Sequence, residues 1–146
     1  MTTEGGRLTR LVANVAILLA AAPALAQVAT DGDTIRHDGV VYRLWGIDAP
    51  EVTDRCGDWP AGTVARDRLA ELMAGRAVAC ERRDRDRWGR VVALCRADGV
   101  DLSATMVREG LAWAFTRYSR DYAALEIEAR AAGRGVHGRG CVWRRG

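Results

Sequence analysis

The chain has 146 residues, 22 of them basic and 19 acidic, and 49% are hydrophobic. A chain of that size folds as one domain around a single modest core and leaves no room for a separate regulatory module. The net charge of +3 is too small to establish a polyanion partner by itself; every basic residue is Arg, which suits bidentate phosphate contacts, but genomic base composition explains that choice more simply.

Residues 1–26 read as an export signal and are set aside from the fold. Arg7 and Arg10 form the basic start, LVANVAILLAAAP the apolar middle, and Ala24-Leu25-Ala26 the cleavage pattern. Cutting after Ala26 leaves a domain of residues 27–146 with 20 basic and 18 acidic residues, a net +2. The apolar run falls short of the ~20 residues a spanning helix needs, which argues against an uncleaved anchor, and the rest of the chain holds no segment able to cross a membrane. A periplasmic or extracellular location is therefore expected. In such an oxidising compartment four cysteines form a disulfide framework before they form a metal site. The lack of a Cys-x-x-Cys and the presence of only His37 and His137 argue against zinc.

The segment TIRHDGVVYRLWGI predicts a hairpin about Asp38-Gly39, a two-residue turn that needs positive φ at both positions. Opposed residue numbers then sum to 77, so Thr34 faces Arg43 and Asp33 faces Leu44. Alternation puts Asp33 on one face with Leu44, Gly46 and Asp48. In a straight strand Asp48 would lie roughly 13 Å beyond Leu44, too far to share an ion with Asp33, so the strand must bend, and Gly46 is the residue that permits it. The same alternation sets Arg43 on the face opposite Asp48, and regular geometry alone cannot unite them.

Apolar spacing of three and four predicts three helices. Ala65, Leu69, Leu72 and Met73 mark the first, ended by Gly75; Leu102, Met106, Val107 and Leu111 mark the second, capped by Asp101 or Ser103; Tyr118, Tyr122, Leu125, Ala129 and Ala132 mark the third, stopped by Gly133. Between the first two, RAVACERR and RVVALCR flank DRDRWG as a second hairpin. Four cysteines permit three connectivities; this hairpin brings Cys80 beside Cys95 and leaves Cys56 for Cys141. The order of elements suits an α+β, mainly β protein: a small barrel with helices packed on it, as in OB-type folds.

Three segments carry charge that a core would not use: Asp31-Gly32-Asp33-Thr34, Arg43 to Glu51, and Asp86-Arg87-Trp88-Gly89-Arg90. Singly they are a turn, a solvated loop before proline and a wet hairpin tip. Together their residue types suit phosphodiester cleavage, which needs a hard cation, a base for water and cations for the phosphate oxygens. Asp33 and Asp48 are oxygen ligands suited to Ca²⁺, whose loose coordination water and a backbone carbonyl can complete. Glu51 is placed to orient or deprotonate water. Arg43 and Arg90 can grip the phosphate, acting through charge because guanidinium stays protonated.

DGDT, RLWGIDAPE and DRWGR, in this order and with these separations, resemble the thermonuclease (staphylococcal-nuclease-like) family. Gly62-Thr63-Val64-Ala65 and MVREGLAWA followed by RYSRDYAALEIEAR extend the resemblance over about residues 28–138. It implies a five-stranded OB-type barrel with three helices and a Ca²⁺-dependent phosphodiesterase acting on DNA and RNA. It assigns the metal to Asp33, Asp48 and the backbone carbonyl of Ala49, the water to Glu51, the phosphate to Arg43 and Arg90, and a supporting role to Asp31, holding a metal-bound water. Trp88 replaces the usual Tyr and keeps the stacking surface without the hydroxyl. Tyr118 matches an aromatic of the nucleotide pocket. His137 stands where Trp is common and is read as a tail residue without chemistry. The resemblance also implies 3′-phosphate products.

The alternative is a non-catalytic OB-fold module that binds nucleic acid or protein; it would be expected to lack one or more of Asp33, Arg43, Asp48, Glu51 and Arg90, and all five are present. A disulfide-stapled structural protein would explain the cysteines and none of those charges. Nucleic acid is the expected partner, with no obligate protein partner, and a monomer is expected.

Overall fold

The structure is a computed structural model that describes residues 26–143; apart from Ala26, the expected export signal lies outside the described residues. In chain order the elements are β1 (Val28–Asp31), β2 (Thr34–His37), β3 (Val40–Leu44), β4 (Ile47–Asp48), α1 (Ala61–Met73), β5 (Val78–Arg85), β6 (Val91–Ala97), β7 (Val100–Asp101), α2 (Leu102–Arg108), β8 (Trp113–Ala114) and α3 (Ala123–Ala131). The main sheet runs β1-β2-β3-β6-β5 with β7 on β6, and β4 pairs separately with β8. With its three helices this is an OB-type fold. Gln27 Nε2 reaches the Arg76 carbonyl at 3.0 Å, linking the chain just before β1 to the approach to β5.

The first hairpin has the register its turn dictates, with Thr34 opposite Arg43 and Ile35 opposite Tyr42. Asp38 and Gly39 both have positive φ, 49° and 76°. β3 then stops at Leu44. Gly46 has φ 72°, and a Cβ there would lie 2.9 Å from the Tyr122 ring, so glycine is required both for the turn and for the space. Beyond it Ile47 and Asp48 leave the β2–β3 ladder and pair with Ala114 and Trp113. Strand parity therefore does not carry across Gly46, which removes the conflict between Arg43 and Asp48.

The second hairpin sets Cys80 directly opposite Cys95, and these two are disulfide-bonded with Cα atoms 4.0 Å apart. Cys56 is bonded to Cys141, Cα atoms 5.3 Å apart. β6 also lies parallel to β3, with Tyr42 beside Val91 and Arg43 beside Val92. Neither hairpin signal reveals that long-range pairing.

Ile35, Leu44, Ile47, Leu69, Leu102, Met106 and Val107 are fully buried between sheet and helices. α1 buries Ala65, Leu69, Leu72 and Met73 on one face, as their spacing predicts, and Gly75 follows its end with φ 68°. Asp101 caps α2, accepting from the Ala104 N–H at 3.0 Å. Leu111 lies beyond the end of α2 yet is buried. Tyr118 is not in α3, which starts only at Ala123. The Ser119 hydroxyl holds the Asp121 N–H at 3.0 Å, and Asp121 accepts from Trp45 Nε1 at 2.9 Å; this local turn competes with helix before Tyr122. Tyr122 itself is buried and donates its hydroxyl to Asp101 at 2.9 Å. Burial, reinforced by the Asp101 charge, pushes the Tyr122 hydroxyl pKa up. Among the described residues no helix is long and apolar enough to cross a membrane.

Candidate active site

Asp33 sits in the turn between β1 and β2 and Asp48 ends β4, and both are buried, at 5% and 3% exposure. Arg43 spans them. Its guanidinium lies 3.1 Å from Asp33 Oδ2 and 2.8 Å from Asp48 Oδ1. Asp33 also accepts from the Thr34 hydroxyl at 3.0 Å and the Ala49 N–H at 2.7 Å. Such charge-assisted contacts offset the cost of burying carboxylates. Asp48 Oδ2 accepts from Trp143 Nε1 at 2.6 Å.

Parallel pairing of β3 and β6 explains how the second arginine joins the first. Arg43 is level with Val92 on β6, and Arg90, just before that strand, lines the same cleft as Arg43. Asp86 organises the hairpin tip that presents it, accepting from the Trp88 N–H at 3.0 Å, the Arg90 N–H at 2.9 Å and Arg90 Nε at 2.6 Å. Burial pushes the Asp86 carboxyl up, but the side-chain and backbone hydrogen bonds from Arg90 outweigh it and hold the group below its ordinary value.

Glu51 lies in the loop before α1. Its N–H donates to Asp54 Oδ2 at 2.9 Å, its carbonyl accepts from the Asp54 N–H at 2.8 Å, and the Asp54 carbonyl takes the Gly62 N–H at 3.0 Å. Arg43, Asp48, Glu51, Trp88, Arg90 and Tyr118 line one cleft of about 1160 Å³. Trp88 is 66% exposed, with the Arg87 guanidinium 4.1 Å from its ring centre; Tyr118 is 59% exposed and touches Phe115, ring centres 5.0 Å apart. Ala49 gives its N–H to Asp33, and Asp31 Oδ1 holds the Val52 N–H at 3.1 Å, steadying the loop after Glu51.

The donor set is hard oxygen: two carboxylates held within reach of one guanidinium, with the Ala49 backbone against one of them. Among the described residues no group of three His, Cys, Asp or Glu forms a ready-made cage. These residues fit an ion that accepts two carboxylates and fills its remaining positions with carbonyl and water oxygens, as Ca²⁺ does.

Residues 41–137 match the family described as staphylococcal nuclease homologue. The chain belongs to the staphylococcal nuclease family. It is 37% identical over 113 residues to an "Uncharacterized endonuclease" of Escherichia coli, covering 73% of this chain and 71% of that one. A "Succinoglycan biosynthesis protein ExoI" of Rhizobium meliloti is 35% identical over 131 residues, 80% of this chain and 66% of that one. A "Probable staphylococcal-like nuclease CAN2" of rice is 35% identical over 96 residues, 64% of this chain and 25% of that one. Membership of the staphylococcal nuclease family and the endonuclease names of such relatives support a nuclease, and hence a nucleic acid substrate. Two features of this family member took their meaning only from the structure. Trp143 carried no signal beyond its place two residues after Cys141, and Asp86 was singled out as the first residue of DRWGR without its role of holding Arg90.

Proposed function

We propose that the chain is an exported, calcium-dependent phosphodiesterase that cleaves DNA and RNA with little sequence preference and leaves 3′-phosphates. The observation that carries this reading is the convergence of Asp33 and Asp48 on Arg43, where Asp48 and Arg43 line a cleft together with Glu51, Arg90, Trp88 and Tyr118. Asp33, Asp48 and the Ala49 carbonyl would hold the ion, which supplies positive charge for the phosphate oxygens. Arg43 and Arg90 bind the phosphate, and Asp86 aims Arg90. Glu51 takes the proton from the attacking water. Trp88 and Tyr118 offer exposed ring faces to bases, which favours single-stranded or locally melted substrates over any particular sequence. An ion shared by both carboxylates competes with Arg43 for them, so occupancy of the site and phosphate binding by Arg43 support each other.

A non-catalytic binding module has no comparable use for two buried carboxylates beside a cleft. The test is incubation of the purified chain with single- and double-stranded DNA and RNA, with Ca²⁺ and then with chelator. Cleavage that stops with chelator and returns with Ca²⁺ is expected; cleavage indifferent to chelator, or none on any substrate, refutes the proposal.

A further inference from the structure

Trp143 enters the site from the far end of the chain. Its Nε1–H bonds Asp48 Oδ2 at 2.6 Å, while Arg43 holds the other oxygen at 2.8 Å. Two donors arriving from different directions fix the rotation of a buried carboxylate as neither could alone. The indole is itself seated. It lies nearly parallel to Trp113, at 15° with ring centres 6.5 Å apart, and meets Phe115 edge-on at 5.5 Å. Trp113 is the residue opposite Asp48 across β4 and β8, so the indole rests on the strand neighbour of the carboxylate it bonds.

Among the described residues, the tail from Cys141 to Trp143 belongs to no helix or strand. Its covalent anchor is Cys141, two residues before Trp143, bonded to Cys56 across 85 residues of sequence. Lesser contacts flank the anchor: the Cys141 N–H reaches the Val136 carbonyl at 3.0 Å, and the Arg139 guanidinium sits 4.5 Å from the Trp59 ring centre. Cys56 lies five residues after Glu51, in the same loop. The disulfide therefore ties the loop of Glu51 to the tail of Trp143. A second cavity of about 460 Å³ beside this junction is lined by Asp48, Cys56, Cys141 and Trp143, so Asp48 stands at the wall between two open spaces and depends on its neighbours for its orientation.

We propose that Trp143 is a positioning residue for Asp48, and that the Cys56–Cys141 bond is the strap that keeps it there, so that the site is complete only in the oxidised chain. The catalytic consequence rests on the nuclease reading above: the reduced chain cleaves slowly and the oxidised chain fast. Closing the strap turns two thiols into one disulfide and passes two electrons and two protons to a protein or small-molecule disulfide, which leaves as its two thiols. For a protein that cuts nucleic acid, this separates a reducing compartment, where the producer's own nucleic acid lies, from an oxidising one.

Proton–nitrogen correlation spectra test the contact directly. Trp143→Phe identifies the Trp143 indole peak by its loss. That peak is expected to shift in Asp48→Asn, and to move to the position of a free indole in Cys56→Ser/Cys141→Ser or after partial reduction of the unsubstituted chain. Dispersed backbone peaks report that each variant is folded. An indole peak indifferent to Asp48→Asn overturns the contact, and one unmoved by opening the Cys56–Cys141 bond overturns the strap. Calorimetry without nucleic acid tests the positioning role: Trp143→Phe keeps the ring but lacks the N–H, and should weaken Ca²⁺ binding about tenfold. In turnover it should lower kcat more than it raises KM. Ca²⁺ affinity and kcat within twofold of the unsubstituted chain overturn that role. If the unsubstituted chain neither binds Ca²⁺ nor cuts nucleic acid, the nuclease reading fails, and the spectra still decide whether the strap exists.

Discussion

The backbone of Glu51 fixes where the residue sits beside the cleft. Its N–H and carbonyl are both engaged by Asp54, and the residue lines the cleft shared with Arg43 and Arg90. Glu51→Gln preserves size and hydrogen-bonding reach but is no base. We expect kcat to fall by about 10²–10⁴, with nucleotide and Ca²⁺ affinities changed by less than about threefold. Single-turnover rates and calorimetry check this, and near-normal turnover would remove Glu51 from the mechanism. The sequence singled out five candidate side chains, Asp33, Arg43, Asp48, Glu51 and Arg90, by type, because hard ligands, a base and two fixed cations are a short list. It missed Trp143, since an indole near a terminus carries no local sign of what it will touch.

At the scale of elements, the start of α1 and the loop before it are fitted backbone to backbone. A Cβ on Gly62 would collide with the Glu51 carbonyl and come within 2.8 Å of the Val52 carbonyl carbon. Gly62→Ala must therefore push the loop off the helix; we expect a loss of about 1–3 kcal/mol in stability and a fall in kcat larger than the lost stability would explain. Denaturant titration beside steady-state kinetics measures both, and a stable variant with full activity would show that the loop position does not matter. Helix α1 itself was legible from Ala65, Leu69, Leu72 and Met73. Tyr118 was not, because apolar spacing extends α3 backwards through a turn that the Ser119 and Asp121 hydrogen bonds decide otherwise.

The whole molecule's stability should vary with pH in two stages. Burial, reinforced by the Arg130 charge, pushes the His137 pKa below its ordinary 6.5. Its neutral form is favoured in the fold, so this contribution is full above about pH 6.5 and is lost as pH falls through the lower native value. Asp86 and Asp121 are both held below their ordinary 3.8, Asp121 chiefly by the Trp45 and Ser119 hydrogen bonds. Their contributions are full above that value and are lost only in stronger acid. Denaturation midpoints should show the upper step between pH 8 and 5 and the onset of the lower one only below about pH 4, with His137→Gln removing the upper step; an unchanged upper step would acquit His137. The sequence by itself determined the two hairpins with the Asp38-Gly39 register, the apolar face of α1, the cysteine pairing and the residue types of the site, because these rest on turn chemistry, periodicity and charge carried within short segments. Tertiary packing alone sets Arg43 against Asp48, lays β3 beside β6 with Arg43 and Arg90 in one cleft, and closes Trp143 on Asp48. Those contacts join segments distant along the chain or separated by the break at Gly46, and they form only when burial of the shared core holds the segments together.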